Sequence, residues 1–313
     1  MFCSTVIPTI GRPTLARAVN SVLAQRCTTI DFEVIVVNDS GNPLPDAEWQ
    51  QSPRVKIIHT NRHERSVARN TGAAMAQGNY LHFLDDDDWL LPGAFENLWT
   101  LAQMAGDRAW LYGAAQLVDR AAKPLIQLQH QLNGNCFVQT MAGEWIPLQT
   151  SLIRADCFFA AGGFNPLIAG AEDIDLLRRM MQVGELGGTT ALVACIGMGQ
   201  ASSTTDAARH VNESRWAREK ILDEPGVLQR MRASAHSGKW CGRLVRIYLT
   251  SMLWNLKRKH WLKATSRASF ALLSAVEAGR YVTELAFWQA IFSRYESETF
   301  TRGFQANQFP VTA

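Results

Sequence analysis

The stretch GNYLHFLDDDDW at residues 78–89 joins an apolar run, of the kind that forms a buried strand, to four consecutive carboxylates. Four adjacent carboxylates repel one another and lose hydration unless a positive group neutralises them. A divalent cation that bridges protein carboxylates and a phosphate does this, and Mg²⁺ or Mn²⁺ prefers such oxygen ligands. The alternative is a solvated acidic turn. The position after a strand argues against that alternative, because open α/β sheets bind ligands at their strand ends.

Outward from this stretch, the first 120 residues alternate strand and helix patterns. The apolar runs are continuous rather than alternating, which indicates strands covered on both faces. Strand–helix–strand repeats predict an α/β fold with a mostly parallel, doubly wound sheet and a ligand crevice at the carboxyl ends of its strands. The predicted strands cover residues 4–8, 33–37, 55–59 and 80–84, and the predicted helices cover residues 14–26 and 66–77.

The pattern changes beyond residue 109. Residues 110–118, 146–154 and 191–196 have strand patterns, a helix begins near Glu172, and almost everything from His210 onward is helical. We expect a catalytic α/β domain over residues 1–215 and a basic, mainly helical extension over residues 216–313. Two apolar helix faces are predicted in the extension, one of Leu244, Ile247, Tyr248 and Met252, the other of Phe270, Leu273 and Val276.

Charge is distributed unevenly along the chain. Of the 313 residues, 47% are hydrophobic and 19% charged, which excludes a disordered or fibrous protein. Residues 1–208 carry a net charge of −6 and residues 209–313 a net charge of +9, which indicates two different working surfaces.

Six scattered cysteines without a CxxC pair favour reduced thiols and a cytoplasmic protein. We expect no secretory signal and no spanning helix, and at most a peripheral position on the inner face of the membrane.

Three further groups of polar residues are candidates for a site. Glu172 and Asp173 follow a glycine-rich turn and can occupy the first turn of a helix, where a carboxylate can act as a general base or simply cap the helix. The basic stretch at residues 62–70 can bind phosphate or a nucleobase, or form a solvated helix face. His210 is either a metal ligand or a structural histidine.

These motifs together resemble those of family 2 glycosyltransferases. The resemblance spans roughly residues 4–215, with the motifs in the order of the family, whereas residues 220–313 match no motif. It implies a GT-A fold, a nucleotide-sugar donor with UDP favoured, and a Mn²⁺ or Mg²⁺ ion. The matching stretches are VIPT at residues 6–9, SVLAQ at 21–25, EVIVVNDSG at 33–41, ARNTG at 68–72 and GNYLHFLDDDD at 78–88.

The resemblance also implies roles for individual residues. Its Asp-x-Asp motif falls on residues 85–87, although the frame 86/88 fits the run of four as well. Asp85 and Asp86 are then expected to bind the donor, and Asp87 the metal ion. The family's catalytic base corresponds to Asp173, with Glu172 beside it. The remaining implied site residues are Pro8, Thr9, Asp39 and Arg65 for the nucleotide and His210 for the metal ion.

The expected reaction is transfer of a sugar to a hydroxyl group of a glycan or glycolipid, with inversion at the anomeric carbon. Two alternatives are a catalytically silent donor-binding or scaffold protein and a nucleotidyltransferase, for which residues 8–13 are a poor phosphate-binding loop. The basic run at residues 255–263 can contact anionic lipid or a phosphate-bearing acceptor, or can pack on the body with its charges in water. No nucleic acid is expected as a partner.

Overall fold

The computed structural model describes residues 2–26, 31–198 and 207–293, with the side chains of residues 207–210 outside that description. The described residues belong to two compact units. The first lies within Met1–Gly134 and Ile146–Ser214, and the second within Asn135–Trp145 and Arg215–Ala313. The segment Asn135–Trp145, which falls inside the α/β part of the sequence, thus belongs to the helical unit.

The first unit is built on one mixed sheet, which among the described residues has nine strands in the order β3-β2-β1-β4-β8-β6-β9-β5, with β7 beside β6. Strands β1 to β4 run parallel to one another, and β6 runs parallel to β9. Strands β5, β7 and β8 pair antiparallel with their neighbours. The strands are β1 (Phe2–Thr9), β2 (Asp31–Asn38), β3 (Val55–His59), β4 (Tyr80–Phe83), β5 (Trp89–Leu90), β6 (Trp110–Val118), β7 (Pro124–Leu128), β8 (Ser151–Arg154) and β9 (Leu186–Gly197).

Helices flank this sheet and make up most of the second unit. Those of the first unit are α1 (Leu15–Leu23), α2 (Arg65–Ala74), α3 (Ala94–Ala105), α5 (Ala155–Ala160) and α6 (Glu172–Met180). Helix α7 (Ala207–Leu222) leads into the second unit, which contains α4 (Phe137–Met141), α8 (Val227–Ala233), α9 (Gly238–Lys257), α10 (Trp261–Glu277) and α11 (Leu285–Phe292). The predicted α/β fold with a helical C-terminal part is confirmed.

Helix α2 begins and packs for identifiable reasons. The carboxylate of Glu64 accepts hydrogen bonds from the backbone N–H groups of Ser66 and Val67, which satisfies two donors that a helix start otherwise leaves unpaired. Farther along, Gly72 lets the helix approach the sheet closely. A Cβ at Gly72 would overlap Val6 and lie 3.0 Å from Val37 Cγ2. The helix is therefore held tightly over β1 and β2.

The strand predicted at residues 146–154 is wrong in its first half. Only Ser151–Arg154 pairs with the sheet, while Leu148–Thr150 forms a 3₁₀ turn. The side-chain hydroxyls of Thr150 and Ser151 both donate to the carbonyl of Pro147, at 2.9 Å each, and this local bonding replaces ladder pairing. The apolar residues of the segment gave a strand pattern because they are buried, not because they are extended.

The second unit is held together by α9, against which α10 and α11 both pack. Leu244, Ile247 and Tyr248 of the first predicted face are buried, and Tyr248 contacts the ring of Phe270 at 5.4 Å. The second predicted face does not pack as a whole, because Leu273 and Val276 are exposed. Helix α10 instead packs through small residues and Arg267. No helix of the described residues has the length and hydrophobicity needed to cross a membrane.

Candidate active site

The carboxyl ends of β1, β2 and β4 bring the polar motifs to one edge of the sheet. The backbone N–H of Asp39, just after β2, donates to the carbonyl of Thr9 at the end of β1 at 2.8 Å. On the other side of β1, the N–H of Leu84 donates to the carbonyl of Val6 at 3.1 Å. These bonds fix the segments that follow the strands, so that the acidic run at residues 85–88 begins directly beside Thr9.

The four consecutive carboxylates form two pairs, each bridged by one side chain. Asp86 is buried and accepts hydrogen bonds from Thr9 Oγ1 at 2.6 Å and from the guanidinium of Arg12 at 2.8 Å. Arg12 also lies 3.1 Å from the carboxylate of Asp87. Asp88 is buried on the other side, where it accepts from Gln149 Nε2 at 2.7 Å and from the N–H of Gly197 at 2.8 Å. Gln149 reaches Asp85 as well, at 3.1 Å.

Three of these carboxylates could share a metal ion. One oxygen from each of Asp85, Asp87 and Asp88 can be chosen so that all three lie within 4.8 Å of one another. Burial and the nearby charge of Asp85 raise the pKa of Asp87 and, more strongly, the pKa of Asp88. The cluster therefore holds more negative charge than its arginines neutralise, and its ligands are hard oxygens. Both properties fit Mg²⁺ or Mn²⁺.

Arg69 connects this cluster to the second carboxylate motif. It lies on α2, its side chain is buried, and its guanidinium donates to Asp85 at 2.6 Å and to Glu172 at 2.9 Å. Burial alone would raise the pKa of Asp85, but the charge and hydrogen bond of Arg69, together with the charges of Arg65 and Arg12, hold that pKa below its usual value. The solvated helix face considered for the basic stretch is thus wrong at Arg69, although Arg65 beside it is half-exposed.

Glu172 and Asp173 begin helix α6 but differ in their surroundings. Glu172 is buried, with Arg69 at 2.9 Å and Arg65 at 3.5 Å, and burial raises its pKa. Asp173 is partly exposed, and in the described part of the chain it forms no ion pair. One oxygen of Asp173 accepts from the N–H of Ile174 at 2.7 Å. An accessible carboxylate outside any described ion pair can accept a proton from a bound molecule, whereas Glu172 is engaged by arginines.

The loop before α6 is fixed to α2 by Asn70. The side-chain amide of Asn70 donates to the carbonyl of Phe164 at 2.8 Å and accepts from the N–H of Phe164 at 2.9 Å. Gly163, with φ of 66°, adopts the left-handed conformation that lets this loop pass close to Asn70. The start of α6 is therefore positioned relative to the helix that carries Arg69.

The carboxylate of Asp39 holds the segment that precedes α2 by hydrogen bonds. Its carboxylate accepts hydrogen bonds from Thr60 Oγ1 at 2.8 Å and from the N–H groups of Arg62 and Glu64 at 2.7 Å each. Burial would raise the pKa of Asp39, but these hydrogen bonds lower it. A contact with a nucleobase would be made beside this hydrogen-bonded loop, at the carboxyl end of β2.

The structure thus brings together most of the residues named from the sequence. Thr9, Asp85, Asp86 and Asp87 meet at one sheet edge, and Arg69 connects them to Glu172 beside Asp173. Pro8 is partly exposed within β1. His210 lies in α7, but its side chain is outside the described part of the structure.

Sequence reasoning missed Arg12 and Gln149. Arg12 had a weak signal, since it follows the VIPT stretch within a Gly-Arg-Pro turn where a side chain can fold back over the sheet end. Gln149 had none, because it lies in the segment that was predicted as a strand.

Comparison with known protein families and relatives gives a consistent result. Residues 4–112 match the family model described as Glycosyl transferase family 2. An uncharacterized glycosyltransferase of Haemophilus influenzae is 25% identical over 182 residues, which are 57% of this chain and 62% of that protein. The poly(ribitol-phosphate) β-N-acetylglucosaminyltransferase TarP of Staphylococcus aureus is 33% identical over 102 residues, 31% of each chain. The chain therefore spans between about a third and two thirds of the length of these curated relatives.

The fold has counterparts among solved structures. The crystal structure of S. aureus TarS 1–349 in complex with UDP-GlcNAc superposes with a TM-score of 0.60 at 14% identity, covering 90% of this chain and 92% of that one. The corresponding complex with UDP gives a TM-score of 0.53. At such low identity this likeness concerns the fold, which is that of the GT-A glycosyltransferases. The family model covers about a third of the chain, from β1 to the start of β6, so the match to glycosyl transferase family 2 concerns the part that carries the acidic cluster.

Proposed function

We propose that this protein transfers a sugar from a nucleotide-sugar donor, with UDP-sugars favoured, to a hydroxyl group of a glycan or glycolipid. The observation that carries the proposal is the arrangement around Arg69, which connects the Asp85 end of the acidic cluster to Glu172, beside the accessible Asp173. A group that binds a diphosphate and a group that accepts a proton are both needed for glycosyl transfer. The UDP-GlcNAc complex of TarS supports the choice of donor.

The donor side of the site would be formed by the sheet edge. A bound Mg²⁺ or Mn²⁺ ion supplies charge stabilisation for the diphosphate leaving group. Asp85, Asp87 and Asp88, whose oxygens lie within 4.8 Å of one another, would hold it. Asp87 would be the principal ligand and His210 a further one. The contacts to the nucleotide are assigned to Pro8, Thr9, Asp39, Arg65 and Asp86.

The acceptor side would depend on Asp173. This carboxylate takes the proton of the acceptor hydroxyl, whose oxygen attacks the anomeric carbon from the side opposite to the leaving nucleoside diphosphate. The transition state has oxocarbenium-ion character, and a single displacement of this kind inverts the anomeric configuration. Glu172 is a positioning residue here, because Arg69 and Arg65 hold it.

The acceptor and the location of the reaction belong to the same proposal. A growing surface glycan or a glycolipid is assembled at the cytoplasmic face of a membrane, and the basic extension suits a peripheral position there. Residues 215–293 carry 14 basic and 5 acidic side chains.

The experiment that tests the proposal is a nucleoside diphosphate release assay over a panel of nucleotide sugars, with Mn²⁺ and with EDTA. We expect slow release from one donor, lost in EDTA and reduced by roughly 100-fold or more in Asp173→Asn. Asp107→Asn, which changes an exposed carboxylate of the same unit, should leave the rate unchanged. Donor binding by calorimetry without release, even with a broad set of acceptors, would instead favour the scaffold alternative.

A nucleotidyltransferase would behave differently. It would release pyrophosphate from a nucleoside triphosphate in the presence of a sugar phosphate, and it needs a loop after β1 that wraps triphosphate. In this structure Arg12 of that loop is directed to Asp86 and Asp87 instead. We therefore expect no pyrophosphate release under the same conditions.

A further inference from the structure

Helix α10 has its small side chains packed and its large apolar side chains exposed. The buried positions recur at helical spacing and are Ala264, Arg267, Ala271 and Ser274. The exposed apolar residues, which we call the outer face of α10, are Trp261, Leu262, Leu272, Leu273 and Val276. A surface helix of a globular protein normally shows the opposite arrangement. The burial of small residues lets α10 lie close to α9 but leaves the apolar outer face without a covering element among the described residues.

Specific contacts fix the rotation of α10. Arg267 is buried and donates to Asp223 at 2.6 Å, to the carbonyl of Leu222 at 2.8 Å and to Ser251 Oγ at 3.2 Å. Turning the outer face inward would break these bonds and leave a guanidinium without its partners. The exposure of the apolar residues is thus required by the packing of the helix.

The exposed apolar residues lie on one side of α10, near its two ends, with exposed serine and threonine side chains between them. Leu262 is 88% exposed, Val276 68% and Trp261 63%. Leu262, Leu273 and Val276 are 11 and 14 positions apart, and at 100° per residue these spacings return to within about 40° of one direction. Single exposed apolar residues are ordinary, whereas five within an arc of about 120° on one helix indicate a surface that binds something.

The charge beside the patch indicates which partner it fits. The last residue of α9 and the turn after it, together called the basic turn, carry Lys257, Arg258 and Lys259. Neither Lys257 nor Lys259 forms an ion pair with any other described residue, and Arg258 lies over the ring of Trp254 at 3.3 Å. A second copy would bring like charge to this surface, since residues 215–293 carry 14 basic and 5 acidic side chains. An anionic lipid surface complements both the apolar residues and the cations.

We propose that the outer face of α10 and the basic turn before it bind the surface of an anionic bilayer. The apolar side chains of the outer face enter the headgroup region, and the cations of the turn contact lipid phosphates. This surface would hold the protein at the membrane in the peripheral position given under the proposed function, on which the proposal rests. It does not require the transfer reaction, because lipid binding is measured without donor or acceptor.

The test is co-sedimentation of the full chain with vesicles of phosphatidylglycerol and phosphatidylcholine, and with vesicles of phosphatidylcholine alone. We expect binding to the anionic vesicles only, weakening as salt increases. The double substitution Leu262→Ser with Val276→Ser should lower the partition coefficient by on the order of 10-fold or more, because two apolar contacts are lost. Lys259→Glu should lower it by roughly 10-fold.

Matched controls lie in the first unit. Leu167→Ser changes a leucine that is 80% exposed, and Lys123→Glu reverses an exposed charge, so neither should alter binding. All of these positions are on the surface, and circular dichroism should show folded variants. Absence of binding at low salt overturns the proposal, as does an equal loss in Leu167→Ser. A dimer in light scattering that Leu262→Ser dissociates, without vesicle binding, would assign the patch to a second copy and overturn it too.

Discussion

The guanidinium of Arg69 lies 2.9 Å from the carboxylate of Glu172, and its other nitrogen lies 2.6 Å from Asp85. One buried cation on α2 thus holds together two carboxylates that are 87 positions apart in the chain. Among the described residues, Arg69 is the nearest cation to both carboxylates, so the positions of both depend on it.

Substitution of Arg69 should therefore affect stability and turnover together. Arg69→Met removes the buried cation from the buried Glu172 and from the partly exposed Asp85, and we expect the free energy of unfolding to fall by about 3 to 5 kcal/mol. Arg69→Lys keeps the charge but cannot donate to both carboxylates in the same geometry. We expect Arg69→Lys to fold, with kcat reduced by roughly 10-fold and a higher Mn²⁺ requirement.

Urea unfolding and nucleoside diphosphate release over a Mn²⁺ titration check these expectations. Arg54→Lys, which changes an exposed arginine with a surface partner, is the matched control. If Arg69→Lys kept the wild-type kcat and Mn²⁺ dependence, Arg69 would be a stabilising residue only.

The two central carboxylates of the acidic run should respond differently to substitution. Asp87 belongs to the group that can share a metal ion, whereas the carboxylate of Asp86 is occupied by Thr9 and Arg12. We expect Asp87→Asn to weaken Mn²⁺ binding in the presence of UDP by at least about 10-fold. Asp86→Asn retains an oxygen acceptor and should weaken it much less. Calorimetric titration of Mn²⁺ distinguishes the two, and a larger effect in Asp86→Asn would favour the frame 86/88.

The buried His82 should make stability depend on pH. Its ring lies between Thr5 Oγ1 at 3.2 Å and the carbonyl of Gln149 at 3.1 Å, and burial lowers its pKa from 6.5 to about 4. The unfolded chain therefore binds more protons than the folded chain between those values. The contribution of this group is fully present above about pH 6.5 and is lost as the pH falls toward 4.

Between pH 7 and pH 5 this loss should amount to about 2 kcal/mol of unfolding free energy. Urea unfolding of the wild type and of His82→Gln at both pH values isolates it, because the other titrating groups are common to both proteins. The two proteins should differ less at pH 5 than at pH 7. An unchanged difference would show that His82 is already protonated in the folded state at pH 5 or stays neutral in the unfolded chain.

Gly72 should tolerate no side chain. Alanine usually stabilises a helix interior relative to glycine by up to about 1 kcal/mol. Here the added methyl would overlap Val6 and press on Val37, so we expect Gly72→Ala to lower the free energy of unfolding by about 1 to 3 kcal/mol instead. Thermal unfolding measures the sign directly. A stabilised variant would mean that α2 can shift away from the sheet without cost.

The parallel half of the sheet was predictable from sequence because its strands are covered on both faces and read as continuous apolar runs. Helix α2 and the start of α6 were predictable from their flanking polar residues and glycines. The short strands β5 and β7 were not predictable. Strand β5 has only two residues, and most residues of β7 are exposed, so neither gives a periodic apolar signal. The segment around Gln149 was misassigned because burial without extension gives the same apolar pattern as a strand.

In the site, the acidic residues were predictable and most of their partners were not. Four consecutive carboxylates are an unusual sequence pattern by themselves. Arg12 and Gln149 have no such pattern, because their partners lie more than 60 positions away in the chain and are brought near only by the fold. In the sequence Arg69 is one of several basic residues, and nothing in the pattern indicates that its side chain is buried. Its role follows from the close packing of α2 on the sheet, which Gly72 permits.

Helix α2 carries Arg65, Arg69 and Asn70 within six residues, and each contacts α6 or the loop before it. The distance between the acidic cluster and the start of α6 is therefore set by one short helix and not by a hinge. Loops that surround this helix can vary in length and composition while that separation stays constant. Under the proposed function, an exchange of peripheral loops would then change the acceptor preference without rebuilding the chemistry.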